Sequence, residues 1–516
     1  MNKFYITTAI PYVNAAPHIG FAMEAVQADA LARYHMMKGD KTYYLTGVDE
    51  HGVKLYETAK EAGEDTQKFA DKYAKKFEAL KGVLDLTNEG FIRTTSDYHK
   101  KGAQKLWKVL ADKGDIYKGS YEGLYCAGCE AYVSEKDLID GKCPNHDKPL
   151  KRLKEENYFF KLSKYSDQIK EAILKDELKI LPESRKNEML NIVSDGLHDV
   201  SFSRPKDILP WGIDVPGDDS QVMYVWGDAL SNYITGIGYG EDEAVDKGGD
   251  LYNLFWPCDV HVIGKDILRF HAGIWIGMLM SADLPIPKAI YVHGFVTSEG
   301  KKMSKSTGNV VDPLEYVDKY GVDPLRYYLM REVPTGDDGD FSQGRFEDLY
   351  NSELANSYGN LVNRVCMMVD RYLDGEIKGK EKNDDLREVI EKFWEKYEDG
   401  MNNFNIKVSC EAVLKLLDYG NKYVEDQKPW ELAKVDMDSL AAVLYNLLEV
   451  VRNVSLMLWP IIPGKATEVL ERIGLKPCCL SDVGKDCGYG EHFGYLKEGS
   501  KVLKGDPLFP KLEVED

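Results

Sequence analysis

The 516-residue sequence has no apolar run that approaches the length of a membrane span. Its start shows no basic segment followed by a short apolar stretch, so we expect no signal peptide. Its nine cysteines do not form the dense, even framework of a small disulfide-bonded secreted protein. These absences predict a protein of a reducing compartment, the cytoplasm, that makes no contact with a membrane.

Positive charge is also outnumbered by negative charge. The chain has 66 Lys and Arg against 86 Asp and Glu, which gives a net charge of −20. This balance argues against indiscriminate binding of nucleic acid, although a local basic patch still allows an RNA partner. Internal repeats and long low-complexity segments are also lacking. The length exceeds what one hydrophobic core serves, so we expect about two to four domains.

The beginning of the chain predicts a buried strand, a turn and a helix. Residues 4–10 are apolar, β-branched and aromatic, and residues 22–34 are Ala-rich with apolar residues at helical spacing. His18 lies where this helix begins, among free backbone N–H groups that bind anions such as phosphates. Gly20 allows a ligand to approach the backbone. Taken alone, the pattern is weak, and a capped structural helix explains it too.

Polar residues follow several further predicted strands. They are Asp49, Glu50 and His51 after residues 41–46, Asp228 after residues 222–226, and Asp266 after residues 261–264. Beyond the carboxyl end of a parallel strand, polar groups face the ligand crevice of an open α/β sheet, so Asp49, Glu50 and His51 are site candidates. Ordinary polar loops have the same composition. The alternation of strands and helices predicts an α/β fold with a doubly wound parallel sheet.

One segment interrupts this alternation and has the spacing of a metal site. Cys126 and Cys129 form one Cys-x-x-Cys pair, and Cys143 and His146 form a matching Cys-x-x-His pair. Four such ligands from two tight turns suit tetrahedral Zn²⁺ and leave no open position, so we predict one structural zinc ion. Incidental cysteines with a surface histidine are the alternative.

A glycine-flanked loop near residue 300 is rich in lysine. Lys301, Lys302 and Lys305 lie between Gly300 and Gly308. Ammonium groups on a mobile loop can reach the phosphates of a nucleotide that is bound elsewhere. A plain surface loop is the other explanation. From about residue 346 the pattern is almost entirely helical, with short connections that predict a helix bundle.

Two of these features together resemble a known family. His18-Ile19-Gly20 and the segment at residues 302–306 are similar to the two signatures of class I aminoacyl-tRNA synthetases. Within that class, the chain resembles the methionyl-tRNA synthetases along essentially its whole length, and its single zinc knuckle resembles that of the one-zinc bacterial subgroup. Further matching segments are residues 9–12, 47–52, 224–226 with 228–229, 264–267 and 428–430.

The resemblance implies a domain order. We expect a Rossmann-type catalytic domain in two halves, at residues 1–115 and at residues 221–345 with the lysine loop. Between them lies a connective insert with the zinc knuckle at residues 116–220. An α-helical anticodon-binding domain at residues 346–475 and a tail at residues 476–516 follow.

The resemblance also implies the reaction. The carboxylate of methionine attacks the α-phosphate of Mg-ATP, and the acyl group of the adenylate then passes to the terminal ribose of tRNA(Met), both initiator and elongator. Because no protein nucleophile is needed, the enzyme aligns the reactants and neutralises charge. The implied catalytic residues are His18, Lys302 and Lys305. The implied ATP-binding residues are His18, Gly20, Phe21, Gly264, Asp266, Lys302 and Lys305.

A methionine site follows in the same way. The implied residues are Asp49 for the ammonium group and Ile10, Tyr12, Trp226, Ala229, Tyr233, Phe270 and His271 for the side chain. An aromatic pocket suits a flexible, polarizable thioether. A hydroxyl donor aimed at the sulfur adds selectivity, and Tyr12 or Tyr233 supplies it in this interpretation. Plain core packing is the alternative for each aromatic residue.

In the helical part, the resemblance places anticodon recognition at Asn360, Arg364 and Trp430. Trp430 can stack on an unpaired base, and the other two lie one turn apart on a helix face. A helix-capping Asn and a core Trp are the structural alternatives. The resemblance leads us to expect a monomer without an additional dimerisation domain.

The sequence departs from the family at three positions. Phe21 replaces the second histidine of the first signature, and Gly227 and Leu230 replace residues that are common elsewhere. Three other functions stay open at this point. They are another class I synthetase of the same branch, a tRNA-independent amino-acid adenylylating ligase, and a non-catalytic RNA-binding paralogue.

Overall fold

The structure is a computed structural model, and it describes most of the chain. The described residues are 2–126, 131–133, 138, 142–143, 150–240, 251–303, 309–334, 336–379, 383–476 and 482–513.

A six-stranded parallel sheet forms the centre of the first two thirds of the chain. In chain order its strands are β1 (Lys3–Thr8), β2 (Lys41–Val48), β3 (Gly90–Arg93), β7 (Lys179–Leu181), β12 (Val260–Gly264) and β13 (Ala289–His293). Across the sheet the order is β3-β2-β1-β12-β13-β7, and every pairing is parallel. The order reverses between β1 and β12, which is where doubly wound sheets bind their ligands. The predicted fold class is confirmed.

Helices cover both faces of this sheet. They are α1 (Ile19–Met37), α2 (Val53–Glu61), α3 (Thr66–Val83), α4 (Asp97–Asp112), α7 (Val225–Ala229), α8 (Asn232–Thr235), α9 (Leu251–Phe255) and α10 (Ile276–Ser281). A π-helical turn, Phe270–Trp275, leads into α10. Helix α1 is buried on almost every side, so its alanines allow close packing against the sheet.

The segment between β3 and β12 contains two smaller antiparallel sheets, with strand orders β5-β4-β6-β8 and β10-β11-β9. Its strands are β4 (Ile116–Cys126), β5 (Ala131–Val133), β6 (Lys151–Phe160), β8 (Val200–Ser201), β9 (Ser203–Pro205), β10 (Asp214–Val215) and β11 (Asp218–Met223), and its helices are α5 (Ser166–Leu174) and α6 (Glu183–Ser194). Strands β4 and β6 pair along a long ribbon. The same segment also supplies β7, the edge strand of the central sheet.

The remaining strands connect the sheet to the helical part. They are β14 (Val296–Ser298), β15 (Lys301–Lys302) and β16 (Gly339–Phe341), with helices α11 (Pro313–Tyr320) and α12 (Val322–Arg331) between them. The helical part then comprises α13 (Gln343–Leu349), a π-helical segment (Tyr350–Gly359), α14 (Asn360–Leu373), α15 (Asp384–Asn402), α16 (Ile406–Gln427), α17 (Pro429–Val435), α18 (Met437–Leu458), α19 (Pro463–Arg472) and α20 (Val483–Cys487). This confirms the predicted all-α region.

Helix α18 corrects one expectation. It is long and apolar enough to cross a membrane by length and composition, contrary to what we expected of the sequence. However, 94% of its most apolar window is buried inside the molecule, where α14, α16 and α19 pack around it. Its apolar composition is therefore that of a central core helix.

Candidate active site

His18 caps the N-terminus of α1 at the point where the sheet order reverses. Its Nδ1 accepts a hydrogen bond from the backbone N–H of Gly20 at 3.1 Å. Because burial lowers the pKa of His18, the ring is neutral, and its remaining proton lies on Nε2. This arrangement presents an N–H donor beside the free N–H groups of a helix N-terminus, which is a suitable environment for a phosphate.

Gly20 is required by the position of this ring. A Cβ atom at residue 20 would lie 2.9 Å from Cε1 of His18, which is closer than real contacts allow. Phe21 packs on the other side of the ring at a centroid distance of 4.6 Å, and it also contacts Phe77 at 5.4 Å. Phe21 has no polar group to offer a ligand. Its contribution to the site is therefore to pack against the His18 ring.

The carboxyl end of β12 lies at the same edge of the sheet as the carboxyl end of β1, the strand that precedes His18. Gly264 is buried there, and a Cβ atom at this residue would lie 3.0 Å from Oδ1 of Asp266. Asp266 is exposed in the turn that follows. The sheet thus brings His18, Gly264 and Asp266 to one edge, as the sequence interpretation required.

Two residues that the sequence interpretation missed complete this edge. Glu24, on α1, lies 2.8 Å from Nε2 of His293, whose Nδ1 faces the carbonyl of Gly294 at 2.7 Å. Burial would lower the pKa of His293, but the Glu24 carboxylate outweighs this effect and raises the pKa. The only sequence signal was the position of His293 at the end of a buried strand.

Asp49 is buried beyond the end of β2. Its Oδ1 accepts from the backbone N–H of His51 at 3.1 Å, and its backbone forms a parallel bridge with Tyr12. This pairing extends the β1–β2 contact past both strands and places Tyr12 beside the carboxylate. Glu50, in contrast, is fully buried against Arg93 and has a structural role.

Trp226 and Phe270 stack face to face, with ring centroids 3.9 Å apart and an interplanar angle of 2°. They and Ile10 and Tyr12 are partly buried and pack against the same core cluster. The indole N–H of Trp226 is buried and has no hydrogen-bond acceptor among the described residues. A buried polar group without a partner costs about 1–3 kcal/mol, so this donor is a candidate for contact with a ligand.

Tyr233 and His271 form a second, fully buried pair. Nδ1 of His271 faces the carbonyl of Ile267 at 3.0 Å, so it carries the proton of the neutral ring, and Nε2 then accepts from the Tyr233 hydroxyl at 2.6 Å. Burial lowers the pKa of His271 to about 4, which keeps the ring neutral. Because the Tyr233 hydroxyl donates to His271, it does not point a donor at a substrate sulfur. Of the two tyrosines expected to supply a hydroxyl donor to the methionine sulfur, Tyr12 therefore stays a prediction.

A buried network connects these elements. Asp228, beside Ala229 on α7, binds Nδ1 of His51 at 2.6 Å through Oδ2 and Nε2 of His99 at 2.7 Å through Oδ1. Burial alone would raise the pKa of Asp228, but His51 and His99 outweigh this effect and lower it to about 2. Sequence analysis missed His99, because nothing in a predicted amphipathic helix indicates a partner 129 residues away.

Several predicted residues lie wholly or partly outside the described residues. The backbone of Lys302 lies in β15, which pairs with β14, but its side chain is not described. Lys305, Cys129 and His146 also lie outside the described residues. Cys126 and Cys143 are described, and both are buried.

The predicted anticodon residues lie at one end of the helical part. Asn360 is exposed at the start of α14, and Arg364 binds Glu425 near the end of α16 at 2.7 Å. Trp430 follows on α17 and is 36% exposed. It is therefore an accessible aromatic surface and not the core residue that the structural alternative required.

Comparisons with known proteins agree with this geometry. A family model described as "tRNA synthetases class I (M)" matches residues 4–152 and 145–366, and the "Anticodon binding domain of methionyl tRNA ligase" matches residues 374–516. The chain therefore belongs to the class I tRNA synthetases.

Individual relatives narrow this assignment. The methionine–tRNA ligase of Thermotoga maritima is 42% identical over 100% of this chain and 81% of its own length. That of Caldanaerobacter subterraneus is 42% identical over 99% of this chain and 79% of its own length. Within class I, the chain is a member of the methionine–tRNA ligase family.

Solved structures give the same result. The methionyl-tRNA synthetase of Mycobacterium tuberculosis in complex with methionyl-adenylate is similar with a TM-score of 0.92 and 36% identity, covering 99% of this chain and 100% of that chain. Its apo form is similar with a TM-score of 0.86 and 33% identity, covering 100% of this chain and 99% of that chain. These matches favour the methionyl branch over the other functions that the sequence left open.

Proposed function

We propose that the chain forms methionyl-adenylate at the carboxyl edge of the central sheet and then transfers methionine to the 3′ end of tRNA(Met), initiator and elongator. A carboxylate oxygen of methionine bonds to the α-phosphorus of Mg-ATP, and pyrophosphate leaves. The terminal ribose hydroxyl then attacks the acyl carbon, and AMP leaves. The observation that carries this proposal is His18, which caps the N-terminus of α1 at the edge of the sheet where β12 ends with Gly264.

His18 and the lysine loop have complementary roles. The Nε2–H of His18 donates to the phosphates, and the ammonium groups of Lys302 and Lys305 neutralise the charge that develops on the α-phosphorus and on pyrophosphate. Gly20 and Phe21 hold the His18 ring in place. Gly264 leaves room for the ribose, and Asp266 accepts from its hydroxyl groups.

Methionine binds between Asp49 and the aromatic residues. Asp49 pairs with the α-ammonium group, while Ile10, Tyr12, Ala229 and the Trp226–Phe270 stack surround the thioether. Trp226 then contributes its unpaired N–H as a donor. Tyr233 and His271 close the pocket as a rigid, neutral pair.

Methionine-dependent exchange of pyrophosphate into ATP tests the first step. We expect exchange with methionine and none with leucine, isoleucine, valine or cysteine. His18→Ala should lower kcat for exchange by at least about a hundredfold, with little change in the KM for methionine. His35→Ala, at the other end of the same helix, is the control. A His18→Ala variant with normal kcat would remove His18 from the mechanism.

For the tRNA, we propose that Asn360, Arg364 and Trp430 contact the anticodon. The support is their accessibility at one end of the helical part, together with the stacking that an exposed indole offers to an unpaired base. Trp430→Ala should lower kcat/KM for tRNA charging at least about tenfold and leave pyrophosphate exchange unchanged. Leu174→Ala, a more exposed apolar residue on α5, is the matched control. Equal loss of both activities would contradict this role.

We further propose one structural zinc ion, held by Cys126, Cys129, Cys143 and His146. Two of these ligands are buried cysteines, and thiolate and imidazole donors at this spacing suit tetrahedral Zn²⁺. When bound, the ion stabilises the connective segment. Cys126→Ser should abolish stoichiometric zinc in the purified protein, whereas Cys366→Ser, at a buried cysteine on α14, should retain it. Absence of zinc from the unaltered protein would reject the assignment.

We propose that the enzyme acts in the cytoplasm as a monomer. The location is supported by its family, whose substrate is tRNA, and by buried thiols such as Cys258 and Cys410 that form no disulfide among the described residues. Light scattering during size-exclusion chromatography should give a mass near 58.4 kDa. A mass of twice that value would reject the monomer.

A further inference from the structure

Five buried polar side chains form a continuous hydrogen-bonded chain behind the proposed methionine pocket. It runs from Asp49 through the backbone N–H of His51 to the His51 ring, Asp228, His99 and Thr235. The ring-to-side-chain distances are 2.6 Å, 2.7 Å and 2.7 Å. Since all five residues are at most 3% exposed, water does not weaken these contacts.

The five residues of this chain lie on four segments of the fold. Asp49 and His51 belong to the loop after β2, and Asp228 belongs to α7. His99 belongs to α4, and Thr235 ends α8. The chain of hydrogen bonds therefore fixes the loop after β2 and α4 relative to the consecutive helices α7 and α8, which lie more than a hundred residues away in the sequence.

The packing between α4 and α8 is built for this contact. Gly102 lies one turn after His99, and a Cβ atom there would lie 2.4 Å from Cγ2 of Thr235. A larger residue would separate the helices and lengthen the His99–Thr235 hydrogen bond. The His99–Thr235 hydrogen bond therefore also requires a glycine at residue 102.

Both carboxylate oxygens of Asp228 are occupied. Oδ2 accepts from His51 and Oδ1 from His99, so the carboxylate fixes the rotation of α7 from two sides. Trp226 and Ala229 lie on the same short helix. The position of α7 therefore determines where the Trp226 ring and its N–H donor lie in the pocket.

We infer that His51, Asp228 and His99 are positioning residues for methionine recognition: they hold the Asp49 loop, α7 and α8 in the geometry that binds the amino acid. This inference rests on the proposed methionine site. His18 precedes α1 and Gly264 ends β12, so these ATP-side residues lie on other elements of the fold. The network consequently acts on methionine and not on ATP.

Asp228→Asn is the direct test, because it keeps the shape but places an NH₂ donor where one carboxylate oxygen accepted a hydrogen bond. In pyrophosphate exchange, we expect the KM for methionine to rise at least about tenfold, the loss expected for one hydrogen bond to a charged group. The KM for ATP and kcat at saturating methionine should stay within about threefold of their normal values. An unchanged KM for methionine, or parallel changes in both KM values, would overturn the inference.

Thr235→Val covers the case in which Asp228→Asn does not fold. Valine has the shape of threonine but lacks the hydroxyl group that binds His99, so the KM for methionine should rise about threefold or more. Thr235→Ser restores the hydroxyl and should restore the KM. Thr58→Val removes a comparable hydroxyl that binds Lys54 within α2, and it should leave the KM unchanged. A normal KM for Thr235→Val would count against the network.

Asp49→Asn, measured in parallel, separates the two proposals. If Asp49→Asn leaves the KM for methionine unchanged, the proposed methionine site is wrong. Suppose instead that Asp49→Asn raises the KM for methionine, whereas neither Asp228→Asn nor Thr235→Val raises it. The proposed methionine site then stands, and the positioning inference fails.

Discussion

Any side chain at residue 20 would collide with the imidazole ring of His18. Gly20→Ala should therefore displace His18 and lower kcat for pyrophosphate exchange at least about tenfold. The same change should alter the free energy of unfolding by no more than about 1 kcal/mol, because the helix propensity gained with alanine opposes the loss of the His18 cap.

The control for this prediction is Gly82→Ala. A Cβ atom at Gly82, in α3, would meet nothing within 4 Å, so the change should leave kcat unaltered. The kinetics of pyrophosphate exchange and the thermal unfolding of both variants test this prediction. Equal kcat values in the two variants would show that the 2.9 Å contact with His18 has no functional weight.

His271 predicts a dependence of stability on pH. Its folded-state pKa is about 4 because of burial, below the ordinary value of 6.5. The unfolded chain therefore binds a proton first, and the free energy of unfolding falls as the pH drops from about 6.5 towards 4, by up to about 1.4 kcal/mol per pH unit. His271→Gln removes this group, so the number of protons taken up on unfolding in this pH range should fall by nearly one. The free energy of unfolding should then depend less steeply on pH.

Urea unfolding at several pH values between 4 and 7 measures the effect. His198→Gln is the control, since His198 is exposed. Some acid dependence should persist in His271→Gln, because burial also lowers the pKa of His261. The same slope in His271→Gln and the unaltered protein would contradict the assignment of a neutral, buried ring.

At the scale of elements, the sequence was sufficient to predict a helix or strand wherever the segment itself carried the composition and spacing typical of that element. The strand, turn and helix around His18 followed from composition and spacing, and the sheet placed His18, Asp49 and Asp266 at one edge as expected. Contacts between distant segments were not predictable. The pairing of His99 with Asp228 and the entry of β7 into the central sheet depend on tertiary packing, which leaves no periodicity in a single sequence.

The last described residues provide an example of such packing. Arg452, inside α18, donates to the carbonyl groups of Cys487 and Gly488 at 3.0 Å each and also to that of Glu491. Arg452→Met should lose about 3–5 kcal/mol of stability, because the guanidinium is fully buried and the tail carbonyls lose their donor. Residues 482–496 should become sensitive to limited proteolysis.

Arg387→Met is the control for this prediction. Arg387 forms an exposed pair with Glu391 one turn away, and such pairs contribute at most about 1 kcal/mol. Pyrophosphate exchange should persist in both variants, since neither residue lies near His18. If the tail of Arg452→Met resists the protease as well as that of Arg387→Met, other contacts hold it in place.

At the scale of the whole molecule, one arginine joins the catalytic and helical parts. Arg326, on α12, is fully buried and pairs with Asp29 of α1 at 2.7 Å. It also donates to the carbonyl groups of Leu84 at 2.9 Å and Ile461 at 2.8 Å. These three partners lie on segments far apart in the sequence, so Arg326 ties the sheet's first helix to the core of the helical part.

Arg326→Met should therefore destabilise the protein by about 3–5 kcal/mol, because it leaves Asp29 buried with Arg33 as its remaining cationic partner. Arg345→Met, which breaks an exposed pair with Glu332, should cost at most about 1 kcal/mol. Urea unfolding followed by both circular dichroism and tryptophan fluorescence measures this difference. If Arg326 couples the two parts, the transitions seen by the two probes should coincide in the unaltered protein and separate in Arg326→Met. Coincident transitions with a loss no larger than that of Arg345→Met would mean that the apolar contacts of α12 alone join the two parts.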